Sequence, residues 1–97
     1  MPYRLDLPKK LKERGWKVKI RDKERLEPPH VTVWHAEALW RICLRTRGFL
    51  VPPGGNWNLI DSEVRAIIEN NWETLCNAWD EKYPENPISS LEHEDNA

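Results

Sequence analysis

Long apolar runs are missing from this chain of 97 residues. Nothing approaches eighteen consecutive apolar residues, so no membrane-spanning helix is expected. The opening Met-Pro-Tyr-Arg-Leu-Asp has neither an apolar h-region nor a small-residue cleavage site, and secretion is not expected. Cysteine is scarce, with only Cys43 and Cys76, far apart. A small secreted domain is normally cross-linked more heavily, so both thiols are expected to be reduced and the chain cytoplasmic.

Patterns that carry chemistry are also few. His30, His35, Cys43 and Cys76 fall in no paired spacing of the kind metal sites use, and neither a metal nor another cofactor is expected. Gly54-Gly55 fits neither a phosphate-cradling loop nor a dinucleotide fingerprint. No serine sits on a nucleophile elbow. Repeats and low-complexity stretches are absent, and the length leaves room for one core.

What the chain does have is tryptophan and divided charge. Six tryptophans at roughly 200 Å² of burial each let Trp16, Trp40, Trp72 and Trp79 carry much of a small core. Net charge is −1, yet the halves differ sharply. Residues 1–47 hold 13 Lys/Arg against 6 Asp/Glu, a net +7, whereas residues 48–97 hold 2 against 10, a net −8. A basic half can meet phosphates or an acidic partner. Equally, the halves can attract each other or both be solvated surface.

The local patterns predict a helix over 7–14, with Asp6 as cap, Pro8 in the first turn and Gly15 as stop. Trp16, Val18 and Ile20 alternate with Lys17, Lys19 and Arg21, the period of a half-buried strand with a cationic outer face. A charged loop follows to Pro28-Pro29. Residues 31–34 and 38–46 predict two more strands, joined by a tight connection at 35–37 that lacks the glycine expected there. A long loop spans 47–60. Val64, Ile68, Trp72, Leu75 and Trp79 recur at helical steps, predicting one helix over 62–83 capped by Asp61 or Ser62, with Pro84 past its end.

The expected fold is therefore α+β, a two-layer sandwich of helix, three-stranded antiparallel sheet and helix. Residues 1–84 form the domain, and 85–97 form an acidic, flexible tail. With both helices on one face, the other face carries Lys17, Lys19, Arg21, Arg41 and Arg45, the expected nucleic-acid contacts. His30 and Thr32 have the parity to join them, although a one-residue slip of register inverts every assignment. His30 is the candidate catalytic residue: the preceding prolines stiffen its approach, and imidazole exchanges protons near neutral pH. Flanking cations would hold a phosphodiester during metal-independent cleavage. The plainer alternative is a histidine that orders the hairpin. Trp34 and Trp57 are either base-stacking platforms or covers for the edges of the core.

The runs Gly15-Trp16, Glu27-Pro-Pro-His-Val-Thr-Val33, Ala38-Leu-Trp-Arg-Ile42 and Asn71-Trp-Glu-Thr-Leu-Cys-Asn-Ala-Trp-Asp-Glu81 resemble a large bacterial family of small proteins. That family carries a Glu-Pro-Pro-His-Val-His-Val signature and is a domain of unknown function. Thr32 stands at the place of its second histidine, so a two-histidine mechanism lacks one member here. The resemblance implies a toxin–antitoxin-type setting, with a cognate small protein encoded nearby. The element order is also similar to that of HicA-type messenger-RNA interferases, which use a histidine on a double-stranded-RNA-binding-like sheet. Two functions are expected on these grounds: a toxin-like component that binds RNA and cleaves it through His30, or a non-catalytic protein-interaction module.

Overall fold

The computed structural model describes residues 3–21 and 27–88. It is α+β, built on four antiparallel strands where three were expected. In chain order they are β1 (Tyr3–Arg4), β2 (Lys17–Ile20), β3 (His30–His35) and β4 (Ala38–Cys43), and they lie in the sheet in that same order. The extra strand is β1, paired through Tyr3 with Ile20 and Arg4 with Lys19. Two residues are too few to display an alternation, which is why the sequence pattern missed it.

The first helix is shorter than its pattern. α1 spans Lys9–Glu13 and buries Leu11, with Pro8 rather than Asp6 at its N-cap position. It ends as expected at Gly15, whose φ is +92°. The Gly15 amide bonds the Lys12 carbonyl and the Trp16 amide bonds the Leu11 carbonyl, the paired pattern of a left-handed C-terminal cap. Trp16 is thereby delivered into the core beside Leu11.

β2 pairs with β3 through Lys17–Trp34, Val18–Val33 and Lys19–Thr32. β3 pairs with β4 from His30–Cys43 to His35–Ala38. One sheet face therefore presents Val18, Ile20, Val31, Val33, Trp40 and Ile42, all buried. The β3–β4 connection is two residues long, and Ala36 adopts the positive φ, 53°, that a glycine would take without strain. β4 stops at Cys43 rather than running to Thr46. The Arg47 amide bonds the Cys43 carbonyl with Arg47 at φ 64°. The chain then doubles back, so that Phe49 bridges Ile42.

The expected single long helix is two. α2 covers Ser62–Asn70 and α3 covers Trp72–Lys82. They break at Asn71, with φ −112° and ψ 18°, whose side-chain amide donates to the Ile67 carbonyl. Asparagine competes with the helical ladder in this way, since its amide offers the backbone another partner. Asp61 caps α2 by accepting from the Glu63 amide. Val64, Ile68, Leu75 and Trp79 are buried against the sheet. Trp72 is half-buried, with the Arg47 guanidinium 4.6 Å from its ring centre.

The chain still contacts the domain past Pro84. The Trp79 indole donates to the Asn86 carbonyl, Asn86 donates to the Glu27 carbonyl, and the Ile88 amide bonds Asp80. The rest of the expected acidic tail, 89–97, lies outside the described residues.

Two substitutions test the turn chemistry in opposite directions. Gly15→Ala should cost about 1–2 kcal/mol by forcing a side chain into the left-handed region. Ala36→Gly should stabilise by about 0.5 kcal/mol, the relieved strain less the extra entropy of an unfolded glycine. Urea unfolding of both variants checks the pair.

Candidate nucleic-acid interface

The alternating residues of the sheet build a second face, opposite the apolar one. Register aligns Arg4, Lys19, Thr32 and Arg41 in one row, and Lys17, Trp34 and Leu39 in the next. Two cations, one in β2 and one just past its end, flank a half-buried indole. The Lys19 ammonium and the Arg21 guanidinium each lie 5.7 Å from the centre of the Trp34 ring. Burial lowers the pKa of Lys19, and the neighbouring charges of Arg4, Lys17 and Arg21 lower it further. The sign is informative: a cation held among cations gains when an anion arrives, because the anion restores its preferred charged form.

Of the five expected nucleic-acid contacts, three stand here: Lys17, Lys19 and Arg21. The other two are engaged by the protein. Arg41 pairs with Glu27 and donates to the Pro52 carbonyl. Arg45 lies beyond the end of β4 and donates to the carbonyls of Pro87 and Ile88. Arg4 joins the cationic group instead, placed there by the strand that the sequence pattern missed.

His30 is fully buried. Its Nδ1 lies 2.9 Å from the Pro28 carbonyl oxygen. Because a carbonyl only accepts, Nδ1 carries the proton of this bond. The ring packs against Trp79 at 5.6 Å between centroids. In this structure the ring is enclosed rather than presented on the cationic face, the environment of the hairpin-ordering alternative. Thr32 is equally buried, and its hydroxyl finds no hydrogen-bond partner among the described residues.

Other chemistry has little footing. No cluster of three or more potential metal ligands occurs among the described residues. Cys43 and Cys76 are free thiols, and burial, reinforced by Asp80, raises the pKa of Cys76, which makes it a poorer nucleophile. No helix among the described residues is long and apolar enough to cross a membrane.

No family model matches the chain, and neither the curated proteins nor the solved structures contain a significant match. The likeness to the signature family therefore rests on the residues that carry it.

A second feature lies at the other side of the same sheet end. A cleft of about 510 Å³ is lined by Trp16, His35, Trp57–Ile60, Asp61, Ser62 and Arg65. His35 stacks on Trp16 with the rings 4.0 Å apart and 9° from parallel. The sequence pattern puts His35 in the tight connection at 35–37; the structure extends β3 through His35, which sets it on the same face as Val33.

Thr32→Val should stabilise the fold by about 1 kcal/mol, since it replaces an unpaired buried hydroxyl with a methyl of the same shape. His30→Ala should destabilise it by about 2–4 kcal/mol, the scale of emptying a well-packed site. Thermal or urea unfolding reads both, and a neutral His30→Ala would mean that the ring is not enclosed as described.

Proposed function

We propose that this chain binds single-stranded RNA through the cationic part of the open sheet face, as the RNA-directed member of a toxin–antitoxin-type pair, without a cleavage step at His30. The observation that carries this reading is the Trp34 ring flanked by Lys19 and Arg21, with Arg4 and Lys17 on the adjoining strands. An indole among cations suits a single strand: the ring stacks on an unpaired base while the side chains neutralise phosphates. The setting in a two-gene pair is supported by the signature resemblance alone. The burial of His30 is what removes cleavage from the proposal.

Four cations releasing counterions on single-stranded RNA give an expected log–log salt slope of about −3. Fluorescence anisotropy of a mixed-sequence oligoribonucleotide across a potassium chloride series measures it. Lys19→Gln should make the slope shallower by about 0.7. Trp34→Ala should weaken binding about tenfold while leaving the slope in place, because stacking is not a charge effect. No binding at low salt overturns the proposal and leaves the interaction module, for which the loop carrying the exposed Val51 is the first surface to probe. RNA cleavage by the wild type that His30→Asn abolishes would restore the catalytic reading.

A further inference from the structure

We infer that the cleft between the β3–β4 hairpin end and the start of α2 receives one unpaired base of the same RNA strand, stacked on an aromatic wall formed by His35 and Trp57. This rests on the RNA-binding proposal and deepens it, because it assigns a second contact on the far side of the sheet. Trp34 and His35 are consecutive in β3 and project to opposite faces. Lys17 is the register partner of Trp34, and its chain neighbour Trp16 stacks on His35. The cationic face and the cleft thus meet at one end of the sheet, separated only by the hairpin Ala36–Glu37.

The cleft has the composition of a base site. Its volume of about 510 Å³ falls within the roughly 300–1,000 Å³ of small-ligand pockets. Its rings are held in place before any ligand arrives. His35 is braced by Trp16, which also stacks near-parallel with Trp40 at 6.1 Å. Trp57 is fixed by its indole N–H on the Arg47 carbonyl and by an edge contact with Phe49. Rigid rings lose little freedom on stacking.

The polar lining favours a base over a phosphate. Asp61 contributes a carboxylate, one oxygen of which already accepts from the Glu63 amide. A carboxylate repels phosphate and accepts from an exocyclic amino group. Arg65, 5.6 Å from the centre of the Trp57 ring and bonded to Glu69, is the cation at this wall, available to the sugar-phosphate linkage that follows the base. The cleft is therefore expected to prefer cytosine or adenine, which carry an amino group, over uracil, which does not.

The test compares oligo(C) and oligo(U) decamers by anisotropy with the wild type, His35→Ser, His35→Phe and Leu59→Glu. Leu59 lines the cleft yet is 53% exposed, so its replacement tests the surface without emptying the core. The expected result is tighter binding of oligo(C) by the wild type. His35→Ser and Leu59→Glu should lose about tenfold, the scale of one stacked base, and His35→Phe should retain most of the affinity. A parallel titration of the wild type with cytidine monophosphate should shift the Trp57 indole N–H resonance. Wild-type affinity in both His35→Ser and Leu59→Glu, with the Trp34→Ala loss intact, overturns the cleft contact and leaves the RNA reading standing. No binding of either decamer by the wild type overturns both.

Discussion

The molecule depends on enclosing both sides of one strand. From His30 to Val33 every residue of β3 is fully buried, an uncommon condition in a sheet whose second face is cationic. On the apolar side this is ordinary packing, with Val31 and Val33 continuing the core of Val18, Trp40 and Ile42 beneath the helices. On the other side His30 and Thr32 are sealed as well: His30 Nδ1 meets the Pro28 carbonyl, whereas the Thr32 hydroxyl finds no hydrogen-bond partner among the described residues, a costly burial. Beyond Val33 the enclosure ends. Trp34 and His35 are half-exposed, so β3 runs from a closed end to an open one.

The closed end consumes charge. Arg45 holds the carbonyls of Pro87 and Ile88, Arg41 holds Glu27 and the Pro52 carbonyl, and the Tyr83 hydroxyl bonds the Arg21 carbonyl. The Arg45 bonds fasten the segment after α3 to the turn beyond β4, and those of Arg41 tie Glu27 and Pro52 to β4. A guanidinium is suited to the task because its five N–H donors sit in a rigid planar fork, whereas the three donors of an ammonium rotate on a flexible stem. The two halves of opposite charge also meet directly, as in the pair of Lys10 with Glu63. An exposed pair of that kind contributes little to stability. Among the described residues, Arg4, Lys17, Lys19 and Arg21 then gather on β1, β2 and the residue after β2, where Lys19 sits among its like-charged neighbours.

How far the sequence spoke for this arrangement depended on the range of the cause. The alternation from Trp16 to Ile20 is a local signal, and it placed β2 and its faces correctly. The stop at Gly15 and the cap at Asp61 are local too. The break at Asn71 was hidden because Trp72 and Leu75 keep the helical stripe in phase across it. Parity put His30 on the cationic side but said nothing of what covers it. That answer lies in Trp79, about fifty positions away. Arg45 was misplaced because an apolar and basic alternation continues past Cys43, whereas the backbone turns there, with Arg47 in the left-handed region. The cleft at His35 was illegible for the same reason as the cover of His30: its walls come from the hairpin end and from residues 57–65, which only the fold brings together.

The open end has an electrical asymmetry that follows from the same division. On one side of the hairpin, Arg4, Lys17, Lys19 and Arg21 oppose one another; on the other, Asp61 lines the cleft and Glu63 begins α2. A strand of RNA carries its charge on one edge and its flat apolar rings on the other. Phosphates gain most from the first side, since the second sets the Asp61 carboxylate beside the single cation Arg65, while bases gain from stacking on either. A strand lying wholly on the cationic face satisfies its phosphates but leaves the pre-set rings of His35 and Trp57 unused. A strand turning over Ala36 and Glu37 satisfies both edges, and the two-residue hairpin makes that path short. Such a path excludes a duplex, whose paired bases cannot leave their stack without the cost of unpairing. The shortness of the β3–β4 connection thus bears on function as well as on register: a longer hairpin would lengthen the path a strand must take over the sheet end between the platforms that consecutive residues of β3 place back to back.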